Sequence, residues 1–201
     1  MFDYDGVIVD SFEIFTSTFM EACRAGGYDG FENTASLMDL LNGNFYEAMS
    51  QRGLSARQID AIVAHAFQLE VQRHASEVKL FRGMRDLLLR LSQRHLLTVI
   101  TSNFSSIVQC LLEKERLFCF ADVLGGETEK SKVKKIEKTM ARYPDLPAFY
   151  VGDTSGDMVE GKKAGAATVA VTWGWHGAEK IRCAAPDFTV HTPAELERLL
   201  M

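Results

Sequence analysis

The spacing of apolar residues changes character along the chain. Residues 1–11 carry Phe2, an acidic cluster, the run Val7-Ile8-Val9 and then Asp10-Ser11, a pair suited to capping a helix N-terminus. From there to about residue 80 every signal is helical. Phe12, Phe15, Phe19 and Cys23 recur three and four residues apart, and Gly26-Gly27 stops the run. A short helix over 36–41 breaks at Asn42-Gly43-Asn44, and a second, over 45–52, ends at Gly53. Ser55 then caps a long helix in which Ile59, Ile62, Val63, Ala66, Leu69 and Arg73 share one face.

From Phe81 onward short apolar runs alternate with helical stretches. Strands are expected over 96–101, 122–125, 148–152, 168–172 and 188–191, with helices over 84–94, 105–117, 131–142, 157–165 and 194–200. Such alternation predicts a parallel sheet covered on both faces. The expected architecture is an α/β fold: a three-layer, Rossmann-like core of residues 1–11 and 81–201, interrupted by an α-helical cap inserted over 12–80. No internal repeat or low-complexity tract interrupts it.

Composition narrows the classes. The 201 residues are 47% apolar and 24% charged, an ordinary globular balance. The net charge of −5 steers the chain toward neither nucleic acid nor an anionic membrane, and no apolar run approaches the length of a membrane helix. The first residues lack the basic and apolar regions of a secretory signal. Cys23, Cys110, Cys119 and Cys183 have no metal- or disulfide-like spacing, which predicts buried thiols in a reducing cytoplasm; a monomer or homodimer is expected.

In parallel α/β sheets ligands sit beyond the carboxyl ends of the strands. Those ends supply Asp3-Tyr4-Asp5-Gly6, Thr101-Ser102-Asn103 and Gly152-Asp153-Thr154-Ser155-Gly156-Asp157. Asp3, Asp5, Asp153 and Asp157 are therefore expected in one crevice, where their repulsion requires a cation. Oxygen-only donors favour Mg²⁺ over zinc, and carboxylate-held Mg²⁺ normally serves a phosphate. The spacing Asp3-x-Asp5 suits a division of labour, one carboxylate attacking while the other handles protons. Asp10 is expected to cap the first helix.

These motifs resemble those of the haloacid dehalogenase superfamily. The stretch from Phe2 to Ser11 looks like its first motif, Thr101-Ser102 its second, a lysine within 130–135 its third, and Gly152-Asp153 through Asp157 its fourth. A helical insertion just after the first motif is similar to the phosphoglycolate-phosphatase-like and β-phosphoglucomutase-like branch. The resemblance implies that Asp3 is a nucleophile forming an aspartyl-phosphate and that Asp5 is the acid and then the base. It also implies a Mg²⁺ site of Asp3, the Asp5 carbonyl and Asp153, with Asp157 ordering bound water. Thr101, with the amides of Ser102 and Asn103, would bind phosphoryl oxygens.

For the implied lysine Lys132 is favoured, with Lys130 as the alternative, because Lys132 stands in the register of a residue opening the helix whose apolar series is Val133, Ile136 and Met140. Lys134, Lys135 and Lys138 are expected on a solvated helix face. His65 and His74 read as surface or packing residues. The loops Asn42-Gly43-Asn44 and Trp173-Gly174-Trp175-His176 read equally as site-facing or as plain turns.

The expected activity is Mg²⁺-dependent hydrolysis of a small phosphorylated metabolite. A phosphomutase would share every core motif and differ in excluding water. A catalytically weak relative acting as a binding module is the other alternative. It is motivated by the mere two residues before Asp3, where the family's first strand has several, which would leave ladder groups unpaired or place the true start upstream.

Overall fold

The computed structural model describes residues 1–201, except for the side chain of Ala75. Its sheet is parallel. Strand β3 (Leu97–Ile100) pairs with β4 (Phe120–Leu124), and β5 (Phe149–Gly152) pairs with β6 (Ala167–Val171), which pairs with β7 (Phe188–Val190). Residues 1–3 join the halves. Phe2 bridges Val99 on one side and Val151 on the other, its amide donating to Thr98 O (2.9 Å) while Asp3 N donates to Val151 O (2.8 Å). Ile100 N and Val151 N return bonds to Phe2 O and Met1 O. The short opening segment is thus paired on both sides, and Asp3 stands at the centre of the sheet.

Alternation along the strands sorts the two faces. Leu97, Val99, Val151, Val169 and Val171 pack with helices α5 (Met84–Leu91), α6 (Ser105–Lys114) and α10 (Pro193–Leu200). Ile100, Tyr150 and Ala170 face the other way, toward α7 (Lys132–Arg142), α8 (Ser155–Lys163) and α9 (Gly177–Cys183). The result is a three-layer α/β core.

Residues 12–77 form a second apolar cluster built from α1 (Phe12–Ala25), α2 (Thr34–Met38), α3 (Phe45–Gln51) and α4 (Ala56–Glu77). Its centre includes Phe19, Leu37, Leu40, Met49 and Ile62. The cluster leaves and rejoins the core through an antiparallel pair, β1 (Val9–Asp10) with β2 (Lys79–Leu80). Two-residue strands of this kind carry no readable periodicity, and the sequence did not announce them. Helix α9 was also unforeseen, as was the 3₁₀ turn Asp39–Asn42 that follows α2.

Two further expectations are corrected. Asp10 is exposed in β1, and α1 begins after Ser11 without any side-chain cap bond. Of the four thiols only Cys23 is buried; Cys110 and Cys183 are exposed and Cys119 is half-buried. Among the described residues no helix is long and apolar enough to cross a membrane.

Because Phe2 is buried between the two halves of the sheet, its truncation leaves a cavity at the sheet's centre. Phe2→Ala is expected to cost about 3–5 kcal/mol in urea unfolding. A loss below about 1 kcal/mol would mean that the opening segment does not tie β3 to β5.

Candidate active site

Three buried carboxylates meet where the central segment and β5 end. Asp3, Asp153 and Asp157 each offer an oxygen lying within 4.8 Å of the others. Lys132, the first residue of α7, donates from Nζ to Asp3 Oδ2 (2.8 Å) and Asp157 Oδ1 (2.7 Å). Asp3 Oδ1 accepts the Tyr4 amide. Asp157 sits in the first turn of α8, where Thr154 caps the helix. Its Oδ2 accepts both the amide (3.1 Å) and the hydroxyl (2.6 Å) of Thr154, and Tyr150 OH reaches its Oδ1.

Asp153 is held differently. Its Oδ2 accepts the Trp175 amide (2.6 Å), while Oδ1 is buried without a hydrogen-bond partner. The backbone closes around it. Gly6 adopts φ +75°, and a Cβ there would lie 2.1 Å from Asp153 Oδ2; one on Gly174 would lie 2.3 Å from the same oxygen. Only glycine fits either position.

Electrostatics follow from this packing. Burial pushes the Asp3 carboxyl up to about 7, against the pull of Lys132. Burial, followed by the charges of Asp157 and Asp3, also pushes Asp153 up. Burial acts on Asp157 as well, but Lys132 and the Thr154 bonds outweigh it and hold that carboxyl below its ordinary value. One lysine thus faces three carboxylates, and one carboxylate oxygen lacks any partner. An all-oxygen set with an unpartnered member fits a hard divalent cation.

Asp5 lines the same cavity as these three carboxylates but lies outside the cluster of oxygens within 4.8 Å of one another. Its Oδ1 accepts Ser11 Oγ (2.6 Å) and its Oδ2 accepts Asn103 Nδ2 (3.1 Å). The Ser11 hydroxyl serves this charged acceptor instead of capping α1, a charged partner making the stronger bond. Thr101 is buried at the end of β3, where its Oγ1 accepts the Asn103 amide (3.0 Å); Ser102, beside it, lines the same cavity.

Lys130 does not reach the carboxylates. It pairs with Asp60 on α4 (2.5 Å) and lies over the Tyr46 ring. Lys135 overturns the expectation of a solvated face. It is buried, and its Nζ donates to Thr101 O (2.5 Å) and Gly125 O (3.2 Å), fastening the ends of β3 and β4. It stands three residues beyond Lys132, on the face of α7 that turns inward.

A cavity of about 110 Å³ opens above the carboxylates. Its floor includes Asp3, Asp5, Thr101, Lys132, Asp153 and Asp157; its roof is helical and largely apolar, with Phe15, Phe19, Phe45, Val63 and Phe67. Trp175 completes the wall and stacks on Phe15 at 4.7 Å, while Phe67 meets Phe104 at 4.1 Å. Asn44 caps α3 and donates to Glu160 Oε1 (3.1 Å) and Lys130 O (3.2 Å). Gly43 lines the cavity and Trp175 holds Asp153, so both ambiguous loops face the site. His74 is a packing residue bonded to Tyr4 OH (2.9 Å).

Sequence reasoning missed Glu70. This α4 residue is buried in the roof and lines the cavity beside Asn103; burial, then the nearby Asp5 charge, pushes its carboxyl up to about 8. Its signal was present: Glu70 lies four residues after Ala66 within the apolar stripe.

The family model of the haloacid dehalogenase-like hydrolases matches residues 1–171. The chain belongs to this family. It is 29% identical over 200 residues to a phosphoglycolate phosphatase of Synechococcus elongatus, covering 98% of this chain and 93% of that one. It is 21% identical to a pyrophosphatase of Bacillus mycoides, covering 100% and 95%. The fold superposes on a haloacid dehalogenase-like hydrolase from Streptococcus pneumoniae with a TM-score of 0.80 at 24% identity, covering 100% and 96%.

Two stability measurements test this geometry. Lys135→Met leaves the buried Thr101 carbonyl without its donor and Gly125 O with only the Thr128 hydroxyl, and is expected to cost about 2 kcal/mol in urea unfolding. The Asp3 carboxyl is raised from 3.8 to about 7, so the folded chain holds this proton more tightly than the unfolded one. The stability it contributes is full below its ordinary pKa and is lost as pH rises through the raised value. In metal-free protein the stability of wild type minus that of Asp3→Asn should therefore fall between about pH 4 and pH 7. A difference that climbs over this window would overturn the assignment.

Proposed function

We propose that this hydrolase is a Mg²⁺-dependent phosphatase that cleaves a small phosphomonoester through an aspartyl-phosphate on Asp3. The observation that carries the reading is Lys132, spanning Asp3 and Asp157 beneath a cavity whose third carboxylate, Asp153, keeps an unpartnered oxygen. The chain's relatives named as phosphatases support it.

Asp3, the carbonyl of Asp5 and Asp153 would hold the cation, with Asp157 behind them; bound there, it would neutralise the carboxylates and the phosphoryl oxygens. The remaining chemistry belongs to the protein. Asp3 attacks phosphorus in line, forming an O–P bond as the ester O–P bond breaks. Asp5 gives its proton to the departing alcohol oxygen and then accepts one from the water that hydrolyses the acyl phosphate. Lys132 keeps Asp3 oriented and pairs with phosphoryl charge as it develops. Thr101, Ser102 and Asn103 cradle the phosphoryl oxygens.

In this reading residues 12–80 are a cap and residues 1–11 with 81–201 are the catalytic core. The pairing of residues 1–3 on both edges favours an active enzyme over a binding module, since the attacking carboxylate is fixed by ladder bonds from two strands.

Purified protein given Mg²⁺ and a panel of phosphomonoesters should release inorganic phosphate. Asp3→Asn should lower kcat at least about a thousandfold, and chelation of the metal should abolish turnover. Phosphate release undiminished in Asp3→Asn would exclude the covalent route. Conversion of one sugar phosphate into another without phosphate release would point instead to the mutase.

A further inference from the structure

The cavity has an unusual charge inventory. Its lining includes six acids, Asp3, Asp5, Glu70, Asp153, Asp157 and Glu160, and a single cation, Lys132, already committed to Asp3 and Asp157. A bound divalent cation and a phosphate dianion roughly cancel each other, so the leaving alcohol enters a space lined by acids in which no further cation stands ready to pair with it. A carboxylate on that alcohol would meet Glu70 and aromatic rings with no cation to pair it.

Glu70 is also well placed to meet the alcohol. Glu70 lines the cavity together with Asp5 and Asn103, and the Asp5 charge acts on it directly, so the roof carboxylate lies near the group assigned to the alcohol oxygen. The same cavity is lined by Phe15, Phe19, Phe67 and Trp175, and aromatic ring faces attract cations. The Trp175 indole N–H, buried without a partner, adds a neutral donor that does not offset the carboxylate.

We propose that the substrate is an aminoalkyl phosphomonoester, with an ammonium group a short carbon chain from the ester oxygen, and that Glu70 selects it by pairing with that charge. This rests on the phosphatase reading above and extends it to the substrate's other end. It also sets this chain apart from what the phosphoglycolate phosphatases' names state, because the alcohol released from phosphoglycolate carries a carboxylate. Burial, with the nearby Asp5 charge, leaves the Glu70 carboxyl raised to about 8, and a seated ammonium would supply a cationic partner to its charged form. The aromatic wall contributes further by excluding water from the pair, which strengthens it.

Three isosteric probes separate the possibilities: 2-aminoethyl phosphate, propyl phosphate and phosphoglycolate, assayed with Mg²⁺. The expected order of kcat/KM is cationic above neutral above anionic, with about tenfold or more between the first and second. In Glu70→Gln the cationic-to-neutral ratio should collapse toward one, and Glu70→Asp should restore part of it. A ratio of this kind is independent of the fraction of protein correctly folded. Hydrolysis of all three probes with no cationic preference, or a preference unchanged in Glu70→Gln, would overturn the assignment while leaving the phosphatase reading intact. If none is hydrolysed, and a wider panel of esters is also inert, the phosphatase reading falls and this proposal with it.

Discussion

The bond pair from Lys132 to Asp3 and Asp157 holds this site together. Three carboxylates buried within a few ångströms repel by several kcal/mol per pair in a protein-like dielectric, and a lysine buried alone would be as unfavourable. Together they satisfy one another, and the arrangement draws on distant parts of the chain: the central segment of the sheet, the first turn of α7 and the first turn of α8. Each of those turns is where it is because Ser131 and Thr154 cap their helices. Capping, sheet order and charge pairing therefore meet at one nitrogen atom.

Around that pair the core and the helical cluster divide the cavity. The core supplies hydroxyls, carboxylates and backbone at the strand ends; the helices supply rings and Glu70. The two halves are joined by contacts of different kinds. Phe15 on Trp175 and Phe67 on Phe104 are apolar, Asn44 to Glu160 is a polar bond, and Lys130 to Asp60 is an exposed ion pair that salt will weaken. The acid–base candidate is itself shared between them, since Ser11, which bonds Asp5, directly precedes α1.

Much of this was legible. The strands expected over 96–101, 148–152 and 168–172 lie in the parallel sheet, and the residues that follow the opening segment, β3 and β5 named Asp3, Asp5, Thr101, Asp153 and Asp157 as lining one crevice. Lys132 could be preferred over Lys130 because helix phase decides which side chain points inward. Other features escaped for physical reasons. Lys135 escaped because a cluster of lysines usually lies in solvent, although its spacing from Lys132 places it on the same inward face. Asp5 lines the same crevice as Asp3, but the Ser11 and Asn103 donors that hold it follow from no spacing rule. Glu70 was hidden by the habit of reading a long amphipathic helix for its apolar residues alone.

The helical segment leaves and returns through a single antiparallel pair, Val9 with Leu80 and Asp10 with Lys79. Its two ends are therefore neighbours, and the strands of the parallel sheet run without interruption by it. A roof attached in this way can change its rings and charges from one descendant to another while the floor stays as it is. Members of such a lineage would keep one bond-breaking chemistry and drift in the molecules they accept, so that shared ancestry is a sound guide to the reaction and a poor one to the substrate.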